Sequence, residues 1–164
     1  MKIPRAIALV PADGTATDRL ALAYADRYRR RGVVQTEGGC EILLDLAEAV
    51  ELADGAALAL DTGRQIALAA AAEPLSEVRG PDLARLAWHI GNRHTPCEIR
   101  PDRLFIQRDH VLEDMLRGLG ARVTAVDAPF RPEGGAYGHG RTHAHAPSPN
   151  AHADPNAHIP HRHG

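Results

Sequence analysis

The run WHIGNRHTPCEIRPDRLFIQRDHVLEDM, residues 88–115, holds two helix signatures separated by two short strand-like stretches. The second helix is the more telling. Asp109 is of the type that caps a helix N-terminus, Val111, Leu112, Met115, Leu116 and Leu119 recur at helical spacing on one apolar face, and Gly118 and Gly120 end the segment. On the same wheel His110 stands opposite that face, on an exposed side shared with Glu113, Asp114 and Arg117, so packing does not require it. The positive end of a helix dipole disfavours a protonated ring, and a metal ion needs the neutral one. One exposed imidazole makes a poor site, but on a two-fold axis it meets its copy from a second subunit and two rings face one ion. Taken from this helix alone, a solvated histidine is the commoner outcome.

Working outward, Pro81 is placed to start the first helix, in which Leu83, Leu86, Ala87 and Ile90 form the buried stripe and Gly91-Asn92 the end. Pro96 forbids continuation. Residues 97–99 and 104–107 make two strands around Pro101-Asp102, residues 121–126 make the last strand, and residues 66–78 read as an extended run entering this region from upstream. The order is β, α, β, β, α, β. That is the ferredoxin-like arrangement, an antiparallel sheet covered on one face by two helices.

Residues 134–164 offer almost nothing to pack: Ile159 is their one branched aliphatic residue and Tyr137 their one aromatic, among recurrent prolines and glycines. Seven of the ten histidines lie there, namely His139, His143, His145, His152, His158, His161 and His163, including two His-x-His pairs. A disordered His-rich tail of this kind gathers borderline divalent metals, for which imidazole is a good ligand. A purification tag would be contiguous; these histidines are interleaved with Ala, Pro, Asn and Ser.

The pieces WHIGNRHTPCEI, DHVLEDMLRGLGARV and PFRPEGGAYGHG, in that order and spacing, resemble the urease accessory protein UreE family, the nickel chaperones of urease maturation. The likeness is dense over residues 70–140 and weaker before. It implies a homodimer joined through the second domain, with His110 of each subunit at a shared nickel site and tail histidines supplying further ligands. His139, directly after Ala136-Tyr137-Gly138, is the best placed of these, and the His143 and His145 pair comes next. The resemblance also implies delivery of Ni(II) to the urease accessory GTPase and the urease maturation complex.

Upstream, turn signals recur at Asp13-Gly14, Arg31-Gly32, Gly38-Gly39, Asp54-Gly55 and Asp61-Thr62-Gly63, with short apolar runs at residues 6–10, 33–36, 41–46 and 56–60 between them. This rhythm predicts small hairpins. Around residues 20–28 both a strand period and a helix period fit. The expected fold is α+β: a small all-β N-terminal domain over residues 1–68, a ferredoxin-like metal-binding and dimerisation domain over 69–132, and the flexible tail over 133–164. Aromatics are only 4% of the chain, so its cores must be built from Leu, Ile, Val and Ala.

A net charge of -2 gives no electrostatic case for nucleic acid, and the local Arg29-Arg30-Arg31 run reads as a solvated or partner-facing patch. No apolar run is long enough to span a membrane, and residues 6–10 are too few for a signal-peptide core, so a cytoplasmic chain is expected. Cys40 and Cys97 lack CxxC spacing and are expected to be reduced. His89 and His94 are expected to be structural.

Three functions compete. A nickel metallochaperone needs a structured site that can exchange its ion; a passive divalent-metal buffer needs only many weak sites. The third, a metal-dependent hydrolase using His110 with Asp109 or Glu113, lacks the second histidine of an HExxH helix, because position 114 is Asp, and the chain offers neither a nucleophile with its base nor a phosphate loop. No enzymatic activity is therefore expected. Imidazole binds Zn(II) or Cu(II) as well as Ni(II), so nickel enters through the resemblance alone.

Overall fold

The computed structural model describes residues 2–134, and the tail with its seven histidines lies outside the described residues. Its first half forms strands β1 (Arg5–Pro11), β2 (Arg19–Leu22), β3 (Tyr28–Gln35), β4 (Glu41–Glu51), β5 (Ala56–Leu60) and β6 (Gln65–Ala70), with a short 3-10 turn at Tyr24–Asp26. The undecided stretch around residues 20–28 thus divides into strand, turn and strand. Alternation makes these strands half-buried: Ile42, Leu44 and Leu46 point inward from β4, and Ile66, Leu68 and Ala70 from β6. Ile42, Leu44, Leu46, Ile66 and Leu68 form one aliphatic core with Leu20 and Leu58.

The six strands join in the order β2-β6-β5-β1-β4-β3. Two of the expected hairpins are present, β3 with β4 and β5 with β6. At the second, Gly63 takes a positive φ of 82° in the turn, a conformation that favours glycine. Hairpins alone do not describe the sheet, because β1 pairs parallel to β4 and β2 parallel to β6. Glycine and aspartate signals mark where the chain turns. They carry no information about which distant strand it next lies beside.

The second half follows after Ala71, with β7 (Ala72–Arg79), α1 (Leu83–Asn92), β8 (Glu98–Ile99), β9 (Leu104–Gln107), α2 (His110–Gly118) and β10 (Arg122–Pro129). This is the β, α, β, β, α, β order read from the sequence. The sheet runs β10-β7-β9-β8 with every neighbouring pair antiparallel. Both helices pack on one face of it: Leu86 and Ile90 of α1 and Leu112 and Leu116 of α2 share a core with Val78, Leu104 and Ile106. α1 begins at Leu83, two residues later than the start expected at Pro81, since the Asp82 carboxylate accepts a hydrogen bond from the Arg85 N–H at 3.0 Å and so caps the helix from outside. Among the described residues no helix is long and apolar enough to cross a membrane.

A polar seam joins the halves. Arg27 is 3% exposed, and its Nε and Nη1 donate to the carbonyls of Leu22 at 3.1 Å and Phe130 at 2.5 Å. Its Nη2, without a hydrogen-bond partner among the described residues, lies 3.9 Å from the Glu73 carboxylate. Glu73, 8% exposed, also accepts from the Tyr24 N–H at 2.8 Å and from the Gln107 amide at 3.1 Å. The Tyr24 ring meets Phe130 edge to face at 5.4 Å.

Candidate metal centre

Strand β9 delivers the chain to Arg108 and Asp109, and α2 begins immediately after. Asp109 is extended and its Oδ1 accepts from the N–H groups of Val111 at 2.9 Å and Leu112 at 3.1 Å, two of the donors that a helix leaves unsatisfied at its start. His110 is the first helical residue and is exposed, as the wheel predicts. Replacing Asp109 by Ala is expected to lower stability by about 1 kcal/mol, the usual cost of a lost N-cap. Thermal unfolding checks this.

Two neighbours of His110 differ from expectation. Val111 is 55% exposed and does not belong to the buried stripe, whereas Glu113 is only 4% exposed and does not share the solvated side. A helix steps about 100° per residue. Val111 and Glu113 therefore stand on opposite flanks of the stripe formed by Leu112, Met115, Leu116 and Leu119, and the flank of Glu113 is the one that meets β7. There its Oε1 accepts from the Ser76 hydroxyl at 2.6 Å and from Arg108 Nε at 2.7 Å. The Arg108 guanidinium first, and the Ser76 hydroxyl second, hold this carboxyl far below the usual range, at about 2.

The sign of the consequence follows. Because folding lowers this pKa, the group's stabilisation is fully present above the ordinary glutamate value of about 4.3 and is lost as pH falls toward the folded value. The gap in melting temperature between the native chain and Glu113→Gln is expected to be widest near neutral pH and to shrink steadily below pH 4.

The other histidines stand apart. His89, in the last turn of α1, meets the Trp88 ring edge to face at 5.0 Å, and His94 is exposed in the following turn with φ 56° and its N–H on the Gly91 carbonyl at 2.9 Å. Among the described residues no three His, Cys, Asp or Glu side chains come together as a metal site. Among the described residues His110 is thus a candidate donor with no further ligands gathered around it. The remaining candidates, His139, His143, His145, His152, His158, His161 and His163, lie outside the described residues.

Comparison with known proteins settles the family. The model for the N-terminal domain of the UreE urease accessory protein matches residues 2–71, and that for its C-terminal domain matches residues 73–164. The chain belongs to the UreE family. Urease accessory protein UreE of Ruegeria pomeroyi is 57% identical over 131 residues, which cover 80% of this chain and 88% of that one. Its counterpart in Rhodobacter capsulatus is 54% identical over 147 residues, covering 88% and 94%, and that of Paracoccus denitrificans 57% identical over 131 residues, covering 80% and 84%.

Two features of this UreE-family chain were not visible in the sequence. Burial, then the charges of Glu133 and Glu98, push the Cys97 thiol up to about 12, so it is protonated at neutral pH. The chain leaving β10 is also fastened before the tail begins. The Arg131 N–H donates to Glu98 at 2.8 Å, the Arg131 side chain bonds Asp54 of the first half, and the Glu133 N–H donates to the Cys97 carbonyl at 2.9 Å.

Proposed function

We propose that this chain is a nickel metallochaperone that delivers Ni(II) to the urease maturation complex. Membership of the UreE family supports a place in urease maturation. The observation that carries the metal reading is His110: an exposed imidazole, absent from the core, on a helix start that is capped and clamped. Two copies of this ring on a two-fold axis hold one ion, and the tail histidines complete or feed the site. Trp88, 64% exposed on α1, and Val111 give the second half apolar surface for a partner copy. The arrangement has three parts: residues 1–68 as a β unit, residues 69–132 as a ferredoxin-like metal and dimer unit, and residues 133–164 as a metal-gathering arm. The receiving partner is the urease accessory GTPase, and the compartment is the cytoplasm. Zn(II) and Cu(II) compete for the same imidazoles.

An ion held by few imidazoles and supplied by an arm leaves ligand by ligand, which favours transfer over storage. A passive buffer remains the rival, because seven tail histidines bind metal whether or not a structured site exists. The hydrolase reading is weakened by the carboxylates it would use: Asp109 serves the helix N–H groups, and Glu113 serves Ser76 and Arg108. Calorimetric titration with nickel, combined with light scattering, tests the proposal on the full chain and on one shortened after Tyr137. The expected result is a dimer in both, with fewer ions per dimer after shortening but one bridging site kept. A monomer at every accessible concentration with metal present would refute the dimer-axis site. Weak, independent binding that disappears with the tail would identify a buffer.

A further inference from the structure

We propose that Glu113 is the positioning residue of the nickel site, a buried carboxylate that fixes where His110 stands by tying the first turn of α2 to strand β7. The inference rests on His110 being a metal ligand. A charge at 4% exposure is costly unless paired and hydrogen-bonded, and an aliphatic side chain on that flank would pack without this cost. Glu113 is satisfied from three directions. The Ser76 hydroxyl donates from β7, which lies inside the sheet between β10 and β9, and Ser76 itself is fully buried. Arg108, two residues before His110, donates through Nε at 2.7 Å and Nη2 at 3.4 Å, and Arg117 Nη2 lies 3.7 Å away from the same carboxylate. The Glu113 N–H in turn donates to the Asp109 carbonyl at 2.9 Å.

Residues 108, 109 and 113 are therefore bonded to one another around His110, and through Ser76 to the middle of the sheet. A stripe of leucines resists separation of helix and sheet but resists sliding or rotation poorly, since apolar contacts are not directional. The bonds from Ser76 and Arg108 are directional. A site on a two-fold axis makes that difference count. If each His110 moves outward by some distance, the gap between the two rings widens by twice as much, whereas metal–ligand distances tolerate only about 0.2 Å.

The test measures nickel affinity on the full-length protein well below its melting temperature, with the visible absorption of bound Ni(II) as a report of coordination geometry. Four variants are compared: Ser76→Ala, Glu113→Gln, His110→Ala, and Ile42→Val as a control that opens a small cavity in the other core. Ser76→Ala and Glu113→Gln should each weaken the tightest site by about tenfold, in the range seen for lost outer-shell partners, and alter the spectrum, while the dimer persists. Ile42→Val should lower the melting temperature and leave affinity and spectrum unchanged. If Ser76→Ala and Glu113→Gln bind as the native chain does while His110→Ala loses the site, Glu113 serves stability alone and the proposal is overturned. If His110→Ala keeps the tight site, nickel is not held there, and the metal reading falls together with the proposal. Should Glu113→Gln fail to fold, Ser76→Ala decides, because it leaves the carboxylate paired with Arg108.

Discussion

His110→Ala is expected to abolish the tight nickel site while leaving the protein folded and dimeric. The ring is exposed at the first position of α2 and contributes nothing to the core, so its removal opens no cavity. Alanine is at least as good a helix residue, and the Asp109 carboxylate still caps the backbone beneath it. Stability should shift by no more than about 0.5 kcal/mol, as at other surface positions. Affinity behaves differently, because symmetry makes one substitution remove two ligands. The loss should exceed about 100-fold, the upper end for removing a mere outer-shell partner. Nickel titration beside thermal unfolding reads both quantities. Tight binding retained in His110→Ala would remove the chief physical reason for calling this chain a chaperone instead of a buffer.

The largest stability effect is expected at Glu73→Ala. Arg27 is buried with one nitrogen lacking a hydrogen-bond acceptor among the described residues, and the Glu73 carboxylate at 3.9 Å is its nearby counter-charge. Burial weakens the hold of the Arg27 guanidinium on its proton, and Glu73 is the leading influence that restores it. The same carboxylate accepts from the Tyr24 N–H and the Gln107 amide, so its loss removes two further hydrogen bonds. Removing one partner of such a pair usually costs about 3–5 kcal/mol, because the other charge stays in a place water cannot reach. Urea unfolding should show the midpoint falling sharply in Glu73→Ala and less in Glu73→Gln, which keeps the acceptor oxygen. A midpoint within error of the native one would mean that Arg27 is sustained by the carbonyls of Leu22 and Phe130 alone.

How much of this was readable in advance depends on the range of the signal. The cap at Asp109, the exposed His110 and the alternation of strands and helices after Ala71 are local, set by residues within a few positions of each other. They were legible for that reason, as were the motifs that place the chain in the UreE family. Glu113 was misread because a helical wheel treats every charge as solvated, and nothing near it in sequence announces that Ser76, 37 positions earlier, will face it. Val111 was misread by the converse habit of assigning every aliphatic residue to the stripe. Arg27 meets Phe130 across 103 positions, a contact created by the fold itself. The parallel pairings of β1 with β4 and β2 with β6 were hidden in the same way. The tail histidines were found by composition alone, and their role stays a proposal.

The single residue Ala71 between β6 and β7, with Arg27 bonded from the first half to the carbonyl of Phe130 at the end of the second, leaves little slack between the two sheets. Melting either sheet would strip Arg27 or Glu73 of its surroundings and expose the other to the same penalty. The halves are thereby made to share one cooperative transition, and any ligand that holds the folded state holds both. Nickel gripped at α2 would then raise the melting temperature of a β-sheet that never touches it.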